Sequence, residues 1–377
     1  MNRRQPAPAK DSAAIRVGDL STLSPEYVRR IAPYVPGKPV EELAREYGLA
    51  EKDIVKLASN ENPRGPSPRV RQAIADAVAG VTRYPDGNGF ALKTALATRF
   101  GVEREQVVLG NGSNDILELV TQAFLRPGDE AVYSQHAFAV YPLATQARGA
   151  TGIEVPAHDY GHDLEAMGKA ITASTRVVFI ANPNNPTGTL VQPVDLRRIL
   201  RAASRTLVLV DEAYFDFSGL TILPWIRQYP NLLVARTFSK SAGLAALRLG
   251  CLFAKPEILA VMRRACTPYP VNTAALVAAE ASIRDARFLR KYAREVLQSR
   301  TLLEKGLVRL GARIYPSHAN FVLADFGPEA HRLVRALERK GILVRERKDF
   351  PRTGFMRISA GTRADTRRLL RAIEEIL

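Results

Sequence analysis

Four polar segments, in chain order, each follow an apolar, β-branched run and carry side chains that can bind or react. They are residues 110–115 (GNGSND), 182–188 (NPNNPTG), 211–214 (DEAY) and 237–240 (TFSK). Open α/β sheets bind ligands at the carboxyl ends of their strands, so these segments should meet at one edge of a sheet. A glycine loop, an amide, a carboxylate and a lysine would then surround one ligand.

The glycine segment is suited to holding a phosphate. It leads into a helix that we predict to begin at about Ser113, so free backbone N–H groups and the positive end of the helix dipole face one point. A plain glycine turn is the alternative interpretation, and the spacing is not a dinucleotide fingerprint, because Asp115 stands where the third glycine would be. Taken with the other three segments, the loop indicates a pyridoxal 5'-phosphate (PLP) site.

The elements that must position these residues follow from the hydrophobic pattern. Short apolar runs at residues 106–109, 176–180, 206–210 and 231–235 alternate with amphipathic segments of helix length. This alternation predicts an α/β fold with a large, mostly parallel, helix-covered sheet. After a long amphipathic stretch over residues 284–310, the pattern strand, strand, helix, strand, strand, helix predicts a smaller α+β domain.

We divide the chain into four parts on this basis. Residues 1–24 are predicted to be a flexible N-terminal tail, because they are rich in Pro and Ala, polar and basic. Residues 25–58 form an arm associated with the small domain, residues 59–268 the large PLP-binding domain, and residues 269–377 the small C-terminal domain. The boundary lies near residues 267–270 (TPYP), because prolines favour extended backbone before them.

Charge is the unusual bulk property. The net charge is +16, and from residue 284 onward 22 Lys and Arg face 11 Asp and Glu. We predict a solvated basic surface that also attracts anionic substrates, and no nucleic-acid partner, because no helix-turn-helix or RNA-binding signature is present.

Other bulk features exclude further classes. No apolar run reaches about 18 residues, so no membrane association is expected. The N-terminus has no apolar signal core, and Cys251 and Cys266 are too few for a disulfide framework, which fits a cytoplasmic location. The five histidines have no metal-ligand spacing, so we predict no metal site.

Across residues 25–377 the chain resembles fold type I aminotransferases, and most closely the histidinol-phosphate aminotransferase family. Further motifs carry the resemblance beyond the four segments. They are residues 56–63 (KLASNENP), 83–86 (RYPD), Ser239 and Lys240 with Arg248, and residues 356–362 (MRISAGT).

The resemblance implies how the cofactor is held. Lys240 would form the Schiff base and then act as the base for the proton shift, which requires a primary amine. Asp211 would pair with the pyridinium nitrogen, and Asn185 and Tyr214 would hydrogen-bond the phenolic oxygen. Phe138 corresponds to an aromatic residue that stacks on the ring, although a core aromatic is the alternative.

The remaining residues are assigned to the phosphate and the substrate. The phosphate group would be held by Gly112, Ser113, Asn114, Ser239 and Arg248. Tyr84 resembles a tyrosine that reaches this phosphate from a second subunit, which implies a homodimer. Arg357 would take the α-carboxylate of an amino donor or 2-oxo acid by a bidentate contact, with Tyr34, Asn60 and Arg345 also on the substrate side. Arg345 is a candidate for a substrate phosphate, and a surface position is its alternative.

The resemblance implies ping-pong transamination between histidinol phosphate and 2-oxoglutarate, as in histidine biosynthesis. Transamination of aromatic amino acids and PLP-dependent decarboxylation of a phosphorylated amino acid are the alternatives. A PLP-sensing regulator would need an added DNA-binding domain, for which the N-terminal tail is too short. Near the lysine, Ala242 replaces an aromatic residue and Ala246 replaces a glycine of the family pattern, so the pocket shape should differ.

Overall fold

A computed structural model describes residues 20–350 and 354–377 of the protein. Most of the predicted N-terminal tail therefore lies outside the described residues, and its last part, Leu20–Leu23, forms an exposed 3-10 helix. Within the described ranges, no helix combines the length and apolar character needed to cross a lipid bilayer.

The helices and strands are numbered in chain order. The strands are β1 (Val55–Lys56), β2 (Val107–Gly110), β3 (Glu130–Ser134), β4 (Thr151–Val155), β5 (Thr175–Ala181), β6 (Leu207–Asp211), β7 (Leu232–Thr237), β8 (Gly250–Phe253), β9 (Arg313–Ile314), β10 (Phe321–Asp325), β11 (Ile342–Leu343), β12 (Arg345–Arg347) and β13 (Phe355–Ser359). The helices are α1 (Glu26–Arg29), α2 (Val40–Tyr47), α3 (Pro68–Ala77), α4 (Phe90–Phe100), α5 (Ser113–Phe124), α6 (Val140–Gln146), α7 (Leu164–Lys169), α8 (Pro193–Ala202), α9 (Phe215–Ser218), α10 (Pro256–Ala265), α11 (Thr273–Arg284), α12 (Ala286–Arg309), α13 (Ala330–Arg339) and α14 (Arg363–Ile376).

The predicted mostly parallel sheet is confirmed. Seven strands lie in the order β2-β8-β7-β6-β5-β3-β4, and β8 alone runs antiparallel to its neighbours. The central strands are buried on both faces, as their continuous apolar sequences require. Val178, Val208 and Val234 are completely buried in one of the two cores that flank the sheet.

The helix that follows β2 begins at Ser113, as predicted. The chain turns into it at Gly112, whose φ of 92° is open to glycine and strained for other residues. Leu117 and Val120 of α5 are buried against the sheet, so the helix axis and its amino end are fixed relative to β2.

The smaller sheet has the order β12-β13-β10-β9 and is antiparallel. Leu303, Leu337 and Leu369, on α12, α13 and α14, are buried in its core. Strand β1 pairs in parallel with β11, so the segment before the large sheet is joined to the C-terminal part of the chain. Three short strands follow α13, where the sequence pattern predicts two.

Helix α11 packs against α3 and α4. Its residues Ala275, Ala278 and Ala279 are buried in the same core as Val208 and Val234 of the large sheet. The small alanine side chains allow the helices to pack closely. Helix α11 therefore belongs to the core of the large sheet, although it lies beyond the predicted boundary at residue 268.

Candidate active site

A cavity of about 430 Å³ lies at the carboxyl ends of three neighbouring strands. The last residues of β5, β6 and β7, which are Ala181, Asp211 and Thr237, line one wall, and side chains from β12 and β13 line the opposite wall. The structure brings these predicted residues to the cavity: Tyr34, Asn60, Ser113, Asn114, Phe138, Asn185, Asp211, Tyr214, Ser239, Lys240, Arg248, Arg345 and Arg357.

Lys240 lies just beyond β7 with its amine in the cavity. Its Nζ donates a hydrogen bond to the carbonyl oxygen of Ser59 at 3.2 Å. Burial lowers the pKa of Lys240 to about 8, and the positive charge of Arg357 adds to this effect. A neutral amine is therefore accessible near neutral pH, as a nucleophile requires.

Asp211 ends β6 and is 5% exposed. Its two carboxylate oxygens accept hydrogen bonds from the Tyr141 hydroxyl at 3.0 Å and from the Ala213 N–H at 3.1 Å. Burial raises the pKa of Asp211 to about 6, while these hydrogen bonds oppose the rise. At pH 7 the carboxyl group is ionised and can hold a cationic ring nitrogen.

Tyr214 and Asn60 belong to one hydrogen-bonded chain. The Asn60 amide donates to the Tyr214 hydroxyl at 3.1 Å, and the Ser359 hydroxyl donates to the Asn60 side-chain oxygen at 2.9 Å. Asn60 is 1% exposed and has a φ of 56°, a conformation that asparagine tolerates better than most residues. This network joins the large sheet to β13 through the segment after β1.

Two glycines make room for an anion-binding cradle. A Cβ on Gly112 would lie 2.5 Å from Nη2 of Arg248, and a Cβ on Gly250 would lie 2.6 Å from the backbone nitrogen of Ser113. Arg248 itself has a φ of 55° after the 3-10 helix Ala245–Leu247. The guanidinium of Arg248 is thereby held against the amino end of α5, where backbone N–H groups suit a phosphate.

Arg357 crosses the cavity from β13. It donates to the side-chain oxygen of Asn185 at 2.7 Å and to the carbonyl oxygen of Ala58. Its Nε is buried without a hydrogen-bond partner among the described residues. The pKa of Arg357 is lowered to about 10, chiefly by burial and in part by the positive charges of Arg347 and Arg345, so an anion bound here would offset these effects.

Arg345 holds the N-terminal arm over the cavity. Its two terminal nitrogens donate to the carbonyl oxygens of Val35 at 2.9 Å and Pro36 at 3.2 Å. Tyr34, the preceding residue, also lines the cavity. The arm is therefore placed to cover a substrate.

The predicted aromatic residues differ in position. Phe138 lines the cavity and makes an edge contact with Tyr141 at 5.9 Å between ring centroids. Tyr84 is 82% exposed and stacks on Tyr269 at 4.8 Å, away from the cavity of its own chain.

Tyr141 and Arg347 were not among the residues predicted from the sequence. Tyr141 is three residues after Phe138, in the first turn of α6, and this helical spacing was the available signal. Arg347 is two residues after Arg345 on the same strand, so both side chains share a face.

The donor set fits PLP. The Asp211 carboxylate suits the ring nitrogen and the glycine cradle with Arg248 suits the phosphate. The Lys240 amine lines the same cavity and is close enough to both for their charges to shift its pKa. Over residues 20–350 and 354–377, no group of three or more His, Cys, Asp or Glu side chains is arranged to hold a metal ion.

Comparisons with known proteins agree with this geometry. The family model for aminotransferase class I and II matches residues 52–373. Histidinol-phosphate aminotransferase 2 of Pseudomonas fluorescens (strain Pf-5) is 50% identical over 365 residues, covering 96% of this chain and 99% of that relative. Histidinol-phosphate aminotransferase 1 of Thiobacillus denitrificans is 49% identical over 360 residues, covering 94% of this chain and 93% of that relative.

A solved structure shows the same fold at full length. Histidinol-phosphate aminotransferase from Sinorhizobium meliloti, in complex with pyridoxal-5'-phosphate, gives a TM-score of 0.86 at 26% identity and covers 97% of this chain and 98% of that chain. The chain belongs to the aminotransferase class I and II family and, within it, to the histidinol-phosphate aminotransferases.

Proposed function

We propose that this protein transfers the amino group of histidinol phosphate to 2-oxoglutarate in a ping-pong cycle. Family membership makes the chain a PLP-dependent transferase. The observation that carries the proposal is the buried Lys240 amine in one cavity with the Asp211 carboxylate, the Arg248 cradle and further arginines. Relatives that are 44% to 50% identical over nearly their full length are histidinol-phosphate aminotransferases, which supports this substrate.

The residues around the lysine would each act on the cofactor or on a proton. When bound, PLP supplies an electron sink for the bond broken at the substrate α-carbon. Lys240 would hold the cofactor through its amine and, once displaced by the substrate amine, move the proton at the α-carbon. Asp211 would keep the ring nitrogen protonated, and Asn185 and Tyr214 would donate to the phenolic oxygen. Phe138 would cover the ring face.

The cradle would hold the phosphate of the cofactor. We assign this role to Gly112, Ser113, Asn114, Ser239 and Arg248. The exposure of Tyr84 suits a residue that acts outside its own chain, so we propose a homodimer in which Tyr84 reaches the cofactor phosphate of the partner subunit.

On the substrate side, Arg357 would bind the α-carboxylate of glutamate or 2-oxoglutarate. Arg345 would bind the phosphate of histidinol phosphate, and Tyr34 and Asn60 would close and orient the substrate. The buried, unpartnered Nε of Arg357 supports an anionic ligand at this wall.

We also propose a division into an arm (residues 25–58), a large PLP-binding domain and a small C-terminal domain. The β1–β11 pairing supports an arm that belongs with the small domain. Because α11 shares the core of the large sheet, we place the boundary at about residue 285, after that helix, rather than after residue 268.

Turnover of histidinol phosphate with 2-oxoglutarate tests the function, with Lys240→Ala as the decisive variant. We expect turnover and the visible absorbance of the lysine-bound cofactor to disappear together. Lys169→Ala is the matched control, because Lys169 is exposed and pairs with Glu165, and it should behave as the wild type. A Lys240→Ala protein that keeps the absorbance would show that another lysine carries the cofactor.

A further inference from the structure

Three arginines line the substrate side of the cavity, and one of them has no role in the proposed function. Arg345 and Arg347 lie two residues apart on β12, so their side chains share a face of the strand. Arg345 is the register partner of Arg357 on β13. Arg347 therefore extends a row of cations along the same wall.

The charges on this side match an anion with two negative charges. Three charged residues of the cavity are assigned to the cofactor and are left out of this charge count: Lys240, Arg248 and Asp211. Glu61 is also left out, because Lys56 pairs with it at 3.0 Å. The guanidinium groups of Arg345, Arg347 and Arg357 carry three positive charges. The Asp349 carboxylate, which contacts Arg347, offsets one of them and leaves an excess of two. A phosphate monoester carries a charge of about −1.5 to −2 near pH 7, whereas the carboxylate of an aromatic amino acid carries one charge.

Hydrogen-bond donors are distributed unequally among these arginines. The terminal nitrogens of Arg345 donate to the carbonyl oxygens of Val35 and Pro36, and those of Arg357 donate to Asn185 and Ala58. Arg347 contacts Asp349 through Nη2, and its Nε is buried without a hydrogen-bond partner in the described part of the chain. A guanidinium has five N–H donors, so Arg347, which lines the cavity, keeps donors that no described residue fills.

The position of Arg347 is fixed by its neighbours. The Arg347 side chain is 15% exposed and contacts Asp349. The next residue, Phe350, stacks on the ring of His136 with centroids 4.3 Å apart and 7° between planes. Since His136 precedes the cavity residue Phe138 by two positions, this stacking fastens the end of β12 to the large sheet.

We propose that Arg347 is a further specificity-determining residue, which binds the phosphate of the amino donor together with Arg345. This inference rests on the proposed function. A guanidinium and a phosphate form charge-assisted hydrogen bonds that a donor without the phosphate cannot make. Arg347 thus raises the preference for a phosphorylated donor over its unphosphorylated form.

Histidinol phosphate and histidinol are the probes, because they differ by the phosphate alone. We would measure kcat/KM for both in the half-reaction of the PLP-loaded enzyme. Arg347→Ala should lower kcat/KM for histidinol phosphate by about 10- to 100-fold and change the value for histidinol by less than about twofold. Arg347→Lys keeps the positive charge without the bidentate guanidinium, so its kcat/KM for histidinol phosphate should fall by less.

Controls separate a binding role from a structural one. Arg339→Ala removes an exposed positive charge at the end of α13 and should leave both values unchanged. The absorbance of the lysine-bound cofactor verifies folding, and Arg347→Gln replaces Arg347→Ala if the alanine variant does not bind PLP.

Each outcome decides a separate question. If wild-type enzyme does not react with histidinol phosphate, the proposed function fails and the inference fails with it. If the wild type reacts and the variants keep its preference for histidinol phosphate over histidinol, the Arg347 inference alone is wrong. Equal losses on both donors would give Arg347 a structural role and would also overturn the inference.

Discussion

The Tyr141 hydroxyl donates a hydrogen bond to the Asp211 carboxylate at 3.0 Å, although the two residues are 70 positions apart in the chain. Tyr141 is completely buried, and its ring stacks on Phe179 of β5 at 4.9 Å. The hydroxyl is therefore held in place by packing, and it stabilises the ionised form of a carboxylate whose pKa is raised by burial.

Tyr141→Phe removes this donor and keeps the ring. We expect the pKa of Asp211 to rise further above about 6 and the dissociation constant of PLP to increase by about tenfold, because a hydrogen bond to a charged group is lost. Titration of the cofactor-free protein with PLP at pH 7 measures this change. An unchanged dissociation constant would mean that Tyr141 does not support the cofactor-binding carboxylate.

The lowered pKa of Lys240 predicts how the rate of PLP attachment depends on pH. The neutral amine attacks the aldehyde, and its fraction rises as pH increases through about 8. The rate of attachment to the cofactor-free protein should therefore climb between pH 7 and pH 9 and level off above that range. Stopped-flow absorbance measures the rate.

Arg357→Gln provides the matched comparison for this profile. It removes a positive charge that lowers the pKa of Lys240, so the midpoint should move to higher pH. A midpoint near the ordinary lysine pKa of 10.5 in the wild type would contradict the effect of burial.

The close approach of β8 to the amino end of α5 predicts the effect of a single methyl group. Gly250→Ala would place Cβ 2.6 Å from the backbone of Gly112 and Ser113, which cannot move without displacing the cradle. We expect a loss of about 1–3 kcal/mol in the free energy of unfolding, together with weaker PLP binding.

Gly168→Ala is the control for this substitution. Gly168 lies inside α7, and a Cβ there meets no other atom within 4 Å. Alanine should stabilise the protein by about 0.5–1 kcal/mol through its helix propensity and leave PLP binding unchanged. Denaturant unfolding and PLP titration of both variants measure the difference, and equal effects would contradict the specific role of Gly250.

Arg345→Ala should weaken the reaction with histidinol phosphate more than the reaction with phenylalanine. The substitution removes a cation from the substrate wall and also releases the backbone of Val35 and Pro36. Arg345→Lys separates the effect of charge from the effect of the backbone contacts, because lysine keeps the positive charge and loses the bidentate guanidinium. Comparison of kcat/KM for the two donors measures the preference, and equal losses would remove Arg345 from phosphate binding.

Much of the fold follows from local sequence pattern. The runs that form β5, β6 and β7 are continuous and apolar, as strands buried on both faces must be. Asp211 ends β6, and Lys240 follows three residues after the end of β7. Sequence pattern did not place α11, because its alanine-rich face indicates a buried helix without identifying the core that buries it.

Sequence resemblance predicted Arg345 and Asn60 as substrate-side residues but not the contacts that position them. The Arg345 guanidinium donates to the carbonyl oxygen of Val35, which lies more than 300 positions earlier in the chain. The Asn60 to Tyr214 hydrogen bond likewise joins residues 154 positions apart, so no local pattern predicts it.

The half-reaction of PLP-loaded protein with histidinol phosphate, without any oxo acid, is the decisive test of the proposed transamination. We predict that the cofactor converts to its amine form and that one equivalent of imidazole-acetol phosphate appears for each site. An unchanged cofactor spectrum, without release of imidazole-acetol phosphate, would contradict the proposed function.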